Sequence, residues 1–378
     1  MKVLVSVDSL KGSLSSIEAG NAVKDGILKV YKEAQVEVMP LADGGEGTVE
    51  ALVEGMKGIK KQIVVKGPLL KEVTATYGIL EHSNTAIMEM AEASGITLIP
   101  EFEKNPLKAT TFGVGEMIKE AINHNCRNFI IGIGGSVTND GGIGMLQALG
   151  FEFLDENKNP VGQGGEALEK IAYIETKNKI KEIDECNFKI ACDVNNPLYG
   201  EKGATAIYGP QKGVTPDLVT RLDAGMINFA NVCAKTFGVD NSEVPGVGAA
   251  GGLGFGFLTF LNATLKSGVQ IILEEINLED KIKDVDIVIT GEGRLDNQTA
   301  MGKAPIGVAK LAKKYNKKVL AFAGATADDA TECNKEGIDA YFSIVNKAMP
   351  LSEAIDKINA HRNMVNTVEQ VFNLIKTF

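Results

Sequence analysis

Apolar residues fall along this chain in short runs. Six of them, at 3–7, 36–39, 128–133, 286–290, 319–323 and 340–345, have the length and composition of buried parallel strands. Most are followed by small residues and then a helical pattern, the rhythm of βα units. The first helix is the clearest. Ser15 with Glu18 three residues on makes a capping box, and Ile17, Val23, Ile27, Leu28 and Tyr31 suit one amphipathic face. Further helical stretches are read at 46–56, 141–149, 305–315 and 351–378. The middle of the chain has another texture. Residues 62–66, 73–80 and 85–90 have β character broken by the turn signals Gly67-Pro68 and Ser83-Asn84. Residues 189–193 read as a further strand and 162–165 as a loop. The pattern predicts an α/β protein in which a parallel-sheet domain, 1–62 with 107–150 and 275–378, is interrupted by a second α/β domain, 63–106 with 151–274. No period of 20–50 residues repeats.

The 378 residues exceed what one core usually serves, in keeping with two domains. Hydrophobic residues at 44% and charged residues at 23% are those of a soluble globular protein. A formal net charge of -10 argues against a nucleic-acid partner, which needs a basic surface to displace counterions. An anionic ligand then requires Lys, Arg and backbone N–H groups gathered locally. The five cysteines (Cys126, Cys186, Cys192, Cys233, Cys333) form no CxxC cluster, and their odd number and wide spacing suit a reducing compartment. The chain opens as a strand over 2–8 rather than as a basic region with an apolar run, so a cytoplasmic location is expected. Residues 244–265 carry no charge and are long enough to cross a bilayer. Pro245 and six glycines within them favour a buried, ligand-facing segment over a membrane span.

Ligands of open parallel sheets bind beyond the carboxyl ends of strands, where helix N-termini and free N–H groups converge. Four expected strand ends carry suggestive residues: Asp8 to Ser13, Asp43 to Thr48, Gly132 to Gly142, and Gly291 to Asp296. The second and third share an Asp-Gly-Gly-x-Gly core leading into a helix. Its glycines allow close approach to an oxyanion, and its Asp can hold a metal, accept a proton, or simply cap the helix. Phosphoryl transfer needs neutralised charge, a bridging metal and a carboxylate to receive the acceptor's proton. The acidic candidates are Asp8, Asp43, Asp140, Asp193, Glu292 and Asp296; the cationic ones are Lys11, Lys212, Arg294 and Lys303. Lys212 and Lys303 read equally well as solvated surface lysines.

Two familiar motifs fail. No GxxxxGK[ST] occurs, so a P-loop is excluded. Gly246 to Gly251 matches GxGxxG, but 241–245 is no apolar strand, and a dinucleotide fingerprint needs strand, turn and helix in order. His82, His124 and His361 are scattered, and no Ser-His-Asp or zinc pattern is visible.

The segment Asp8-Ser9-Leu10-Lys11-Gly12-Ser13-Leu14-Ser15 resembles the opening signature of type 1 glycerate kinases, with Leu10 where Phe is usual. Pro40 to Thr48 resembles their second signature. Matches continue through 105–113, 132–150, 191–198, 208–213, 245–254, Gly291 to Asp296, Gln298, Gly302 and Lys303, in order along nearly the whole chain. The resemblance implies ATP- and Mg²⁺-dependent phosphorylation of D-glycerate, with 2-phosphoglycerate the usual product of the type. It also implies a flavodoxin-like domain with an inserted domain resembling the restriction-endonuclease fold. On that basis substrate and nucleotide are expected in a cleft between the domains, with Lys11 and Arg294 holding the glycerate carboxylate or the transferred phosphoryl group. Asp43 and Asp296 are expected to bind the metal and Asp193 to be the general base. The Gly134-Gly135-Ser136 backbone and that of Gly248, Gly251 and Gly252 are expected to cradle phosphates. Ser9, Gly44, Gly45, Lys212 and Lys303 complete the expected binding set. A kinase for another small hydroxy acid and a non-catalytic sensor of sugar acids or nucleotides stand as alternatives. Oligomeric state is not legible.

Overall fold

The computed structural model describes residues 1–45 and 47–378. Its strands are, in chain order, β1 (Lys2–Val5), β2 (Gln35–Val38), β3 (Ile59–Lys66), β4 (Glu72–Leu80), β5 (Thr85–Glu89), β6 (Asn128–Gly132) and β7 (Glu152–Leu154). They continue with β8 (Tyr173–Glu175), β9 (Asn187–Ala191), β10 (Thr264–Lys266), β11 (Ile287–Leu295), β12 (Lys318–Thr326) and β13 (Ala340–Ser343). The chain forms two compact units. The first comprises 1–43, 50–57 and 269–378; the second comprises 44–49 and 58–268.

The first unit is built on a five-stranded sheet, β13-β12-β11-β1-β2, parallel throughout. Counting only its own strands, the order is 2-1-3-4-5. The chain leaves β1 for β2 on one side and later returns to β11 on the other, so the order reverses between β1 and β11. The core on one face joins Val3, Val5 and Val7 to Val23 and Ile27 of the helix Ser16–Val30 and to Met364, Val368 and Phe372 of the helix Lys357–Ile375. These two helices touch backbone to backbone at Gly26, where a Cβ would lie 2.7 Å from Val365 O. The expected capping box is present: Glu18 N–H donates to Ser15 Oγ (3.2 Å) and Ser15 N–H to Glu18 Oε2 (2.8 Å). The stretch read as one helix over 351–378 is two, Leu351–Ala354 and Lys357–Ile375, the second restarted by the side chain of Asp356.

The second unit carries a six-stranded sheet, β10-β9-β6-β5-β4-β3, parallel from β10 to β5 and antiparallel from β5 to β3, beside the small antiparallel pair β7-β8. Here the structure corrects the expected grouping. The run at 128–133 was assigned to the first domain, yet β6 pairs with β5 and β9 inside the second sheet, and 107–150 lies wholly in the second unit. An apolar run announces burial on both faces; it does not name its neighbours. The uncharged stretch 244–265 contains the helical segment Ala249–Leu261, kinked by left-handed backbone at 250–252, with Leu253, Phe255 and Phe257 buried in the core of this unit. No helix among the described residues is long and apolar enough to cross a membrane. The helix expected over 46–56 runs Thr48–Gly55, and Glu46, its expected first residue, lies outside the described residues.

Candidate functional site

The reversal point between β1 and β11 gathers the acidic candidates of the first unit. Asp8 follows β1, its N–H donating to Gly291 O (2.8 Å) and its carboxylate accepting from Ser9 N–H (2.6 Å). Ser16 brings the next loop alongside: its hydroxyl donates to Val7 O (2.7 Å) and accepts from Leu41 N–H (2.9 Å). One buried serine thus ties the ends of β1 and β2, and with them Asp8 and Asp43. Asp8 is 8% exposed. Burial pushes its pKa up to about 7, and the Asp43 and Glu292 carboxylates add to the rise, while Ser9 N–H and Lys11 oppose it.

The turn after Asp8 is rigid at its base and open at its tip. Leu10 and Leu14 exchange backbone hydrogen bonds (2.9 and 3.1 Å) and bury their side chains in the core, leaving Lys11 and Gly12 exposed. Leu10, the departure from the family pattern, is 4% exposed and packs normally.

The expected loop 291–296 is instead the continuation of β11, paired to β12 as far as Leu295 with Thr326. Gly291 permits this, since a Cβ there would collide with Phe322 O. Strand alternation then sets Glu292 and Arg294 on one face. Glu292 is largely buried and accepts from Thr299 Oγ1 (2.7 Å), with Lys303 Nζ 3.9 Å away; burial raises its pKa, and Asp296 and Asp43 raise it further. Arg294 is exposed, its Nε 3.6 Å from Asp296 Oδ2. Asp296 Oδ1 accepts from Thr299 N–H (3.2 Å) and caps the helix Asn297–Ala300.

Among the described residues no three His, Cys, Asp or Glu side chains converge as a metal cage. Mg²⁺ asks for less, one or two carboxylates with water and phosphate oxygens. Asp8 feels the negative charge of Asp43 and Glu292, and Glu292 that of Asp43 and Asp296, in a largely buried setting, and such a donor set fits a divalent cation.

The second unit contributes other loops. Gly44, at φ +87°, packs against Gly268, whose Cα a Cβ would approach to 2.5 Å, and its carbonyl lies over Gly132. Glu89, at the end of β5, accepts the N–H groups of Gly47 and Val49, both at 3.1 Å, and so orients this glycine-bearing turn. Sequence reading missed Glu89, because an acid ending a strand of the middle region has no motif around it. Asp193 follows β9 and accepts Gly268 N–H at 3.1 Å.

Residues 133–142 form a loop pinned nearly throughout. Gly135 O accepts from Ile96 N–H (2.8 Å), Val137 N–H donates to Ser94 O (3.0 Å), Asn139 Nδ2 to Thr205 Oγ1 (3.1 Å), and Gly141 N–H to Gly251 O (2.9 Å). Asp140 is fully buried and accepts from Thr111 N–H and Oγ1 and from Gly142 and Gly144 N–H (2.8 to 3.3 Å). Burial raises its pKa against those four bonds, so it serves as a structural knot in this loop. Gly134 and Gly135 are exposed at the tip, and Ser136 is buried behind them. Lys212 is no surface lysine: it is 1% exposed, with Nζ donating to Ser136 Oγ (2.6 Å) and Thr138 O (2.7 Å).

Gly248, Gly251 and Gly252 have a packing reason of their own. A Cβ on Gly251 would collide with Thr138 O and one on Gly248 with Pro197 O, and the N–H groups of Gly248 and Gly252 already donate to Asn196 O and Gly248 O. No strand precedes Gly246, consistent with the rejected dinucleotide fingerprint. A groove of about 560 Å³ lined by Asp25, Leu28, Lys29, His361, Arg362 and Val365 holds none of the candidate residues.

Comparison with known proteins supplies what geometry alone leaves open. The model of the glycerate kinase family matches residues 3–376. The chain is 44% identical over 375 residues to a glycerate kinase of Haemophilus influenzae, covering 99% of each chain. It is 45% identical to a glycerate kinase of Bacillus subtilis (100% of this chain, 98% of the relative) and 44% identical to a glycerate 2-kinase of Escherichia coli K12 (97% and 98%). A crystal structure assigned to glycerate kinase 2 of Salmonella typhimurium LT2 superposes with a TM-score of 0.92 at 42% identity, covering 100% of this chain and 98% of that one.

Proposed function

The chain belongs to the glycerate kinase family, and from that membership we propose that it transfers the γ-phosphoryl group of ATP to a hydroxyl of D-glycerate, with 2-phosphoglycerate favoured over 3-phosphoglycerate. The observation that carries the reading is the acidic set at the strand reversal, where the charges of Asp43 and Glu292 bear on buried Asp8 and those of Asp43 and Asp296 on largely buried Glu292, with Lys11, Arg294 and Lys303 close in the same unit. Such a set suits a divalent cation and anionic oxygens together.

Lys11 and Arg294, both exposed, hold the glycerate carboxylate or the transferred phosphoryl group; a planar guanidinium engages either through two parallel bonds. Asp43 and Asp296 are the residues that would hold Mg²⁺, with Asp8 and Glu292 adding negative charge beside them; the ion when bound neutralises phosphate charge. Asp193 receives the acceptor hydroxyl's proton as general base. The turn Gly134-Gly135-Ser136 takes phosphate oxygens on its N–H groups. The 2-1-3-4-5 strand order supports a flavodoxin-like first unit. The second unit falls between segments of the first along the chain, which supports an inserted domain; its restriction-endonuclease-like character rests on the family resemblance alone. All five cysteines are free, in keeping with a cytoplasmic setting.

A coupled assay of ADP release with Mg-ATP and a panel of small hydroxy acids tests the activity, and phosphorus NMR of the product fixes the hydroxyl. ADP release that is faster with another acid than with D-glycerate would overturn the substrate assignment.

A further inference from the structure

We propose that Lys212 is a positioning residue for the turn 134–136, holding Ser136 behind the tip so that the N–H groups of Gly134 and Gly135 meet phosphate oxygens of the nucleotide. The inference rests on the reading of this protein as an ATP-dependent kinase.

A lysine that is 1% exposed needs a structural reason, because its amine leaves water for partners that only partly replace it. The partners here are Ser136 Oγ at 2.6 Å and Thr138 O at 2.7 Å, one at the turn and the other two residues beyond it. Burial lowers the lysine's pKa to about 7, with Asp140 opposing the fall. An amine without its third hydrogen still has two N–H donors, one for each acceptor, so the grip persists in either protonation state. Lys212 is itself held: its N–H donates to Gly209 O (2.8 Å), and Gly213 follows at φ +91°.

Ser136 is buried and its oxygen accepts from Lys212, so the residue that closes the turn is fixed from the interior. Beside it, Gly134 is exposed, and a Cβ placed there would meet nothing within 4 Å. Gly135, at φ +73°, is exposed with its carbonyl turned back to Ile96 N–H. The turn is therefore a fixed frame whose exposed tip is the Gly134-Gly135 backbone, and Lys212 is the side chain that holds the buried residue closing it.

The test uses the full-length protein. Lys212→Met, Ser136→Ala and the double variant are compared by calorimetric titration with ADP in Mg²⁺ buffer and by steady-state turnover with D-glycerate. We expect each single change to weaken ADP binding about tenfold and lower kcat, with the KM for D-glycerate within about twofold of wild type. We expect the double variant to be no worse than the poorer single, because both break one link. Unchanged ADP affinity in Lys212→Met, multiplied losses in the double variant, or a shift confined to the glycerate KM would each overturn the assignment. If Lys212→Met does not fold, Lys212→Gln, which keeps a shorter donor, is held to the same ADP criterion. A wild-type protein that binds ADP but shows no glycerate-dependent turnover would sink the functional reading while leaving the Lys212 effect on ADP measurable. Glycerate turnover with ADP binding indifferent to Lys212 would do the reverse.

Discussion

Asp193 and Asn differ by one atom group and fill the same space, so Asp193→Asn keeps an oxygen for Gly268 N–H while removing the capacity to take a proton. Turnover with D-glycerate is expected to fall by roughly 100-fold or more, the usual scale for loss of a general base, with an unchanged melting temperature. Near-normal turnover would remove Asp193 from the chemistry. Lys11 sits at the tip of a turn closed by Leu10 and Leu14, and Lys11→Ala is expected to cut kcat/KM by at least about tenfold with no loss of stability. Lys212 makes a different prediction, about pH. The unfolded chain keeps its proton up to the ordinary lysine pKa of 10.5, whereas burial makes the folded chain release it near 7. Between those values the unfolded state binds more protons, so this group's contribution to stability rises with pH, by on the order of 3 kcal/mol across the window. Urea unfolding at pH 7 and pH 10 should show that increment in wild type and lose it in Lys212→Met; identical pH trends would contradict it. The burial of Lys212 was not visible in the sequence, where a lysine before a glycine reads equally as a surface charge.

At the scale of elements, legibility followed physical locality. The capping box of the first helix was read correctly because Ser15 and Glu18 satisfy each other's backbone donors within one turn. Ser15→Ala should cost about 1 kcal/mol, visible as a lowered melting temperature. The extension of β11 through Glu292 and Arg294 was not legible. Two glycines and two charges look like a loop, and only the close passage of Phe322 O beside Gly291 makes them a strand. Glycines of the second unit separate two effects that sequence cannot. Gly162, at φ +85° with open space around it, should lose about 1 kcal/mol as Ala from backbone conformation alone. Gly251, at φ +67° and pressed on Thr138 O, should lose on the order of 2–4 kcal/mol. Equal losses in the two variants by urea denaturation would mean that the packing of 248–252 against 138–141 is soft.

For the whole molecule, the α/β class and the presence of two units could be read from runs, turns and length, because burial and periodicity are encoded residue by residue. Membership of a sheet is not. β6 carries the same kind of apolar run as β1, and only pairing with β5 and β9 assigns it to the second unit. Strand ends in parallel sheets are where donors converge, which is why the sequence marks Asp8, Asp43 and Glu292, and the charges of Asp43 and Glu292 bear on Asp8 at the reversal between β1 and β11. The chain order of the first sheet also sets a timetable for synthesis. β1 and β2 leave the ribosome first, yet β11, the neighbour that covers the other edge of β1, begins at residue 287, after the whole of 58–268 has emerged. The insertion can therefore complete its core while the amino-terminal pair waits, an exposed strand edge in need of protection from misassociation.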